Sequence, residues 1–197
     1  MVDLPEDAVF SRLGRNRFLS NISATEQSRI KLLMLRGFAQ IRPRGCWKLL
    51  KIAERDPEKV VLSNGVELIS RAFAEFVGNA PLLWLGGVTV GSGIERLIAQ
   101  DHSVMSENVV FDAVGSECAD NAMKNLQQLA ALELMRNNLA MGRMRFSPGY
   151  GKLDLSVQKH IFELLPMQSA LNVTLSNTFI MQPEKSVTAF TVVNKLT

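Results

Sequence analysis

Cysteine is nearly absent from this chain of 197 residues: Cys46 and Cys118 stand far apart, with no C-x-x-C spacing. That excludes a disulfide framework and a cysteine-rich zinc site, and it fits a reducing, cytoplasmic setting. Long apolar runs are also missing. The most hydrophobic stretch, 80–90, is interrupted by Gly86 and Gly87 and falls well short of the roughly 20 residues that a membrane helix needs. It reads as a buried strand, and no membrane partner is expected. The opening residues carry Asp3, Pro5, Glu6 and Asp7 where a signal peptide has basic and then apolar residues, so export is not expected. Charge of one sign is not in large excess. Lys and Arg number 22 against 19 acids, a net +3, too little for electrostatics alone to hold a polyanion. Arg42, Arg44, Lys48 and Lys51 form a short basic cluster without a recognised module, so a solvated strand face is expected there and nucleic acid is not an expected partner. His102 and His160 are the two histidines. Neither has a second histidine or a cysteine three or four residues away, and no metal site is expected.

What is present is ordinary globular material: 47% apolar and 21% charged residues, which excludes disorder, collagen-like sequence and a coiled-coil rod. Ser23-Ala24-Thr25-Glu26 has capping-box spacing and predicts a helix ending near Gly37. Leu49–Ile52 suits a strand. Val60–Leu62 and Val66–Leu68 flank Ser63-Asn64-Gly65, a hairpin signal, and Ser70 is placed to cap a short helix ending near Gly78. The strand at 82–90 leads through Gly91-Ser92-Gly93 into a helix. Ala119, Ala122, Met123, Leu126, Leu129 and Ala130 recur at helical steps, predicting a long amphipathic helix to about Met141. After a glycine- and proline-bearing loop at 142–151, Asp154 is placed to cap a helix burying Val157, Ile161, Leu164 and Leu165. Two strands, 173–181 and 186–193, are expected to pair as a hairpin through 182–185. This irregular order argues for an α+β fold, with an N-terminal helical segment over 1–40 and an α+β domain over 41–197 that together make one compact unit.

Glycine motifs fail as phosphate loops. The third glycine of a dinucleotide fingerprint begun at Gly91-x-Gly93 falls on Arg96, so a tight strand-to-helix turn is the better reading. Gly149-Tyr150-Gly151-Lys152 lacks phosphate-loop spacing. Cys46, beside Trp47, has no paired histidine and reads as a packed thiol. The loop Arg145-Phe146-Ser147-Pro148-Gly149-Tyr150-Gly151, with the only tyrosine of the chain, combines a planar donor fork with a fixed proline and two glycines that admit close backbone approach. Such a loop suits a zwitterion. The same residues also suit a long connection stiffened by proline, which is the commoner use.

At this loop the sequence resembles the activation domain of cobalamin-dependent methionine synthase, a family that also occurs as a free-standing protein. Arg145 to Tyr150 fits its R-x-x-x-G-Y motif. Gly87-Val88-Thr89-Val90-Gly91 followed by a helix, Phe111-Asp112-Ala113-Val114-Gly115-Ser116, the helix at 155–165 containing Gln158, and Met181-x-Pro183-x-Lys185-Ser186-Val187 run in the family's order. The resemblance covers about residues 40 to 193. It implies a curved antiparallel sheet with flanking helices and a surface site in which Arg145, Ser147, Gly149 and Tyr150 bind S-adenosylmethionine. Tyr150 is implied to lie near the sulfonium or to face the corrin. Lys185 is expected on the connection beside the loop, adding positive charge. Leu139 stands where the family carries an acidic residue, and the acidic, aromatic-rich segment that opens the domain of the large enzyme has no counterpart. No D-x-H-x-x-G cobalamin signature occurs, so the implied cobalamin is carried by a partner, a corrinoid-binding protein or cobalamin-dependent methyltransferase. The implied activity is support for reductive remethylation, because methyl transfer from S-adenosylmethionine to cobalt(I) pulls an uphill reduction forward. An electron donor such as flavodoxin or ferredoxin is the further partner implied. No residue of this chain is expected to be catalytic in its own right. The alternatives are a docking module that does not use S-adenosylmethionine and an unrelated small-molecule role on the same fold.

Overall fold

The computed structural model describes residues 3–14, 23–100 and 105–196. Helix α1, Glu6–Arg12, starts after Pro5 with two acids in its first turn, a favourable charge placement at the positive end of a helix. Helix α2, Ala24–Phe38, is capped as its sequence predicts: the Ser23 hydroxyl accepts from the Glu26 N–H. Strand β1 runs over Arg44–Arg55 and strand β2 over Lys59–Leu62. Gly65, at φ +86°, turns β2 into strand β3, Glu67–Ile69, giving the hairpin that Asn64-Gly65 foretells. Ser70 caps helix α3, Arg71–Val77, by accepting from the Phe73 N–H. Strand β4, Leu82–Thr89, then leads into helix α4, Gly93–Gln100.

Helix α5 runs over Met105–Met135 and stops short of the expected Met141. Asn138 takes a left-handed backbone, φ 55°, and residues Leu139–Met141 form strand β5, because their backbone groups pair with a strand late in the chain. Helix α6, Val157–Leu164, and helix α7, Met167–Leu171, follow. The Asp154 carboxylate accepts from the Ser156 N–H just ahead of α6. The expected strand over 173–181 does not form as one piece. Strand β6, Thr174–Leu175, and strand β7, Met181–Gln182, pair with each other instead. The Ser176 hydroxyl accepts from the Thr178 and Ile180 N–H groups, and this local turn replaces an extended run. The last strand, β8, Ser186–Lys195, pairs with β4 and β5, so the expected 173–193 hairpin is absent.

The main sheet has the order β3-β2-β1-β4-β8-β5, and every neighbouring pair is antiparallel. β1 pairs with β4 through Lys51 and with β2 from Ile52, with a bulge between Ile52 and Glu54. A bulge bends its strand and increases local twist, so the sheet curls here. β4 is buried on both faces. Leu83 and Leu85 meet Phe73, Ile161 and Met167 on one side, whereas Trp84 and Val88 meet Met123 and Ala130 of α5 on the other. The strand's near-continuous apolar run follows from this two-sided burial. α1 and α2 pack on α5 through Val9, Phe10 and Met34, in a cluster shared with Ile94 and Phe111. The 1–40 segment therefore contributes to the same core that supports α5. Arg42 and Arg44 donate to main-chain carbonyls of Ala39, Ile41 and Leu171, and Lys48 and Lys51 are exposed on β1, as for a solvated strand face.

Candidate ligand cleft at the Arg145 loop

Residues 142–146 continue the sheet edge beyond β5. The Gly142 N–H donates to the Val192 carbonyl at 2.8 Å, and Phe146 exchanges backbone bonds with Phe190 at 2.9 and 2.8 Å. The Thr191 hydroxyl donates to the Met144 carbonyl. On the other side, the Phe146 ring lies edge-on to Phe73 at 5.2 Å. The segment is thereby fixed at both backbone and ring before the ligand-like residues begin.

Ser147 to Tyr150 then form a tight turn. The Tyr150 N–H donates to the Ser147 carbonyl at 3.2 Å, Pro148 takes the second position, and Gly149 has φ +91°. These are the marks of a type II turn, which needs glycine at its third position. Gly151 is confined as well: a side-chain carbon there would lie 2.7 Å from the Phe146 ring and 2.8 Å from Ala72. Its carbonyl accepts from the Ser70 hydroxyl. Under this rigid backbone Pro148 and Leu153 are buried, yet the Tyr150 side chain is 71% exposed.

Arg145 is exposed and is oriented from α5. Its Nη1 donates to Gln127 Oε1 at 2.9 Å, while Gln127 Nε2 donates to the Gly142 carbonyl at 2.9 Å. Gln127 is only 8% exposed, so its amide is a buried strut between helix and loop. A cleft of about 530 Å³ opens here, lined among others by Asp120, Arg143, Arg145, Ser147 and Tyr150. Three of the four expected site residues thus share one cleft, and Gly149 supplies its turn. Asp120 was not foreseen. Its signal is the helix face: Ser116, Asp120, Lys124 and Gln127 recur at steps of four and three on α5, where such residues stack on one side. Its carboxylate is only loosely engaged, 3.9 Å from Arg12 Nη2, whose closer partner is Glu117. Leu139 lies in β5 opposite Lys195 and packs on the core around Trp84.

Lys185 does not provide free charge. Its Nζ donates to Asp112 Oδ1 and Ser116 Oγ, so its ammonium is neutralised on α5 and ties two family-like segments together. Gln158 is buried and exchanges bonds with Thr188 Oγ1, which locks α6 to β8. His160 contacts Glu163, and His102 lies outside the described residues. Both thiols are free, and burial pushes Cys46 up and Cys118 up to about 12. Neither is set up as a nucleophile.

Residues 116–196 match the family described as vitamin B12 dependent methionine synthase, activation domain. Among solved structures, the MetH reactivation domain bound to AdoHcy matches with a TM-score of 0.68 and 16% identity, covering 97% of this chain and 73% of that one. At that identity the likeness is one of fold. No curated protein matches the chain. Among the described residues no helix is long and apolar enough to cross a membrane. The matched segment holds every residue named as lining the cleft, and over the whole chain the likeness is to the fold of the reactivation domain.

Proposed function

We propose that this chain binds S-adenosylmethionine in the Arg145 cleft and presents it to cobalamin carried by a partner protein, supporting reductive remethylation. The observation that carries this reading is a guanidinium and a carboxylate, Arg145 and Asp120, on the walls of one cleft with an exposed aromatic ring. An amino-acid zwitterion needs that pair of charges. Gln127 engages one nitrogen of Arg145 and fixes the guanidinium plane, leaving the remaining donors for a carboxylate. Asp120 is then the counter-charge for the α-ammonium, the acidic role for which Leu139 is unsuited. The Tyr150 ring favours a nearby sulfonium by about 0.5–2 kcal/mol, and Ser147 adds a hydroxyl at the turn.

When bound, S-adenosylmethionine supplies an electrophilic methyl group to a reduced corrinoid. That transfer moves no proton, so the residues of this chain orient and hold rather than act as acid or base. The exposed Met144 and Tyr150 form the rim against which a corrinoid protein would rest. The remaining reductant is an electron donor such as flavodoxin or ferredoxin.

Calorimetry with S-adenosylmethionine tests the reading. Saturable binding that weakens about ten-fold or more in Arg145→Ala and in Asp120→Asn is expected, the scale of a charge-assisted hydrogen bond. Absence of binding by the unaltered protein overturns it in favour of a docking module. Addition of the protein to a cobalt(II) corrinoid protein with a reductant is expected to speed appearance of the methyl-cobalt spectrum.

A further inference from the structure

Arg145 borders a second cleft, of about 420 Å³, whose lining does not include Tyr150. Its walls include Lys124 and Gln127 of α5 together with Arg143 and Arg145 of the loop. Three of these side chains are cationic, and none of the residues lining the cleft is a carboxylate. Lys124 and Arg143 make no ion pair or side-chain hydrogen bond among the described residues. Asp120, one helical turn before Lys124, opens instead onto the neighbouring cleft and lies nearest to Arg12.

Three like charges around one concavity repel one another, and folding holds them together at a cost unless an anion joins them. The arrangement is also organised from below. The buried Gln127 amide fixes Arg145 and the Gly142 carbonyl at once, and Lys124 stands one turn from Gln127 on the same helix face. From this geometry we infer that Lys124, Arg143 and Arg145 form a binding site for a compact anion bearing two or more negative charges, of the diphosphate class. Arginine offers planar forks to phosphate oxygens and lysine adds a point charge, the usual division of labour in phosphate recognition. The inference does not require S-adenosylmethionine binding, although Arg143 and Arg145 are common to both clefts.

Titration with inorganic pyrophosphate, followed by calorimetry at low ionic strength, tests it. Saturable binding is expected, weakening as salt is raised. The double substitution Lys124→Gln, Arg143→Gln is expected to lower pyrophosphate affinity at least about ten-fold, while the melting temperature holds, since both side chains are exposed. The single substitution Lys124→Gln changes a residue that lines this cleft only and leaves Arg143, Arg145 and Asp120 in place, so its S-adenosylmethionine affinity reports on the other cleft, while its pyrophosphate affinity is still expected to fall. Pyrophosphate binding without S-adenosylmethionine binding upholds this site and removes the proposed function; the reverse result removes this site only. ADP as a second probe separates sources: equal affinity assigns recognition to the phosphates, and tighter ADP binding assigns it to a nucleotide. No saturable pyrophosphate binding, or binding unchanged by the double substitution, overturns the inference.

Discussion

Two glycine-bearing turns of this molecule obey the same sterics and serve opposite ends. At 91–93, Gly91 has φ +80° and a side-chain carbon on Gly93 would lie 2.5 Å from the Gln40 carbonyl. The next residue, Ile94, is fully buried, so the turn is consumed by packing α4 onto the core. At 147–151, Gly149 has φ +91° but faces open space, with only Leu155 Cδ1 at 3.8 Å. Here glycine shapes a turn that buries Pro148 and sends the Tyr150 side chain outward. Glycine by itself therefore says only that the backbone is special, and the neighbours decide whether the result is a packed joint or a presented surface.

Substitution breaks this comparison most severely at the packed turn. Gly93→Ala is expected to cost about 2–3 kcal/mol through overpacking against main chain, read as a fall in the denaturant midpoint; an unchanged midpoint would mean that the 39–43 connection yields. Arg145→Ala inverts the pattern. Stability is expected to stay within about 0.5 kcal/mol of the parent, as for an ordinary surface change, while S-adenosylmethionine binding weakens by about 1.5–3 kcal/mol. Equal losses of stability and affinity would reclassify Arg145 as a structural strut. Gly149→Ala sharpens the contrast with Gly93: no clash arises, so the expected cost is about 1 kcal/mol of left-handed backbone strain, with a matching shift at Tyr150 visible by fluorescence quenching on ligand addition. The smallest effect belongs to Asp154, which follows the same turn. Hydrogen bonds from Ser156 hold its pKa below the ordinary 3.8. The stabilisation is therefore complete above that ordinary value and is lost as pH falls through the lowered one. Asp154→Asn is expected to flatten the acid limb of the stability profile slightly and leave neutral pH nearly unchanged.

Features written in a few adjacent residues were legible from sequence. The Ser23 and Ser70 caps and the Asn64-Gly65 turn each form where the residues say, because the partner groups lie within three positions. Features set by distant partners were not. The end of α5 is cut short because β8 claims Leu139–Met141, and no local residue announces that pairing. The 173–181 stretch has a strand-like composition, yet Ser176 turns it, with Phe179 at φ +63°. α1 falls within the helical segment expected over 1–40, and Pro5, Glu6 and Asp7 are the residues that mark its start. In the cleft, the family-like motif gave Arg145, Ser147, Gly149 and Tyr150 their placement on one loop. Asp120, Lys124 and Gln127 come from a helix face whose relation to that loop is purely tertiary.

The pair of backbone bonds between Phe146 and Phe190 also sets an order of events in folding. The Arg145 loop precedes β8 in the chain, and the backbone bonds that anchor Gly142 and Phe146 run to that strand, across a wide sequence separation. Closing such a long loop is entropically slow and is rewarded only when the whole strand zips onto β4. Until then the 147–150 turn has only its own local bonds, and the walls of the two clefts on α5 and the loop are not held together. Hydrogen exchange at Phe146 and Phe190 is accordingly expected to report opening of the sheet edge and loss of the proposed ligand site as a single event.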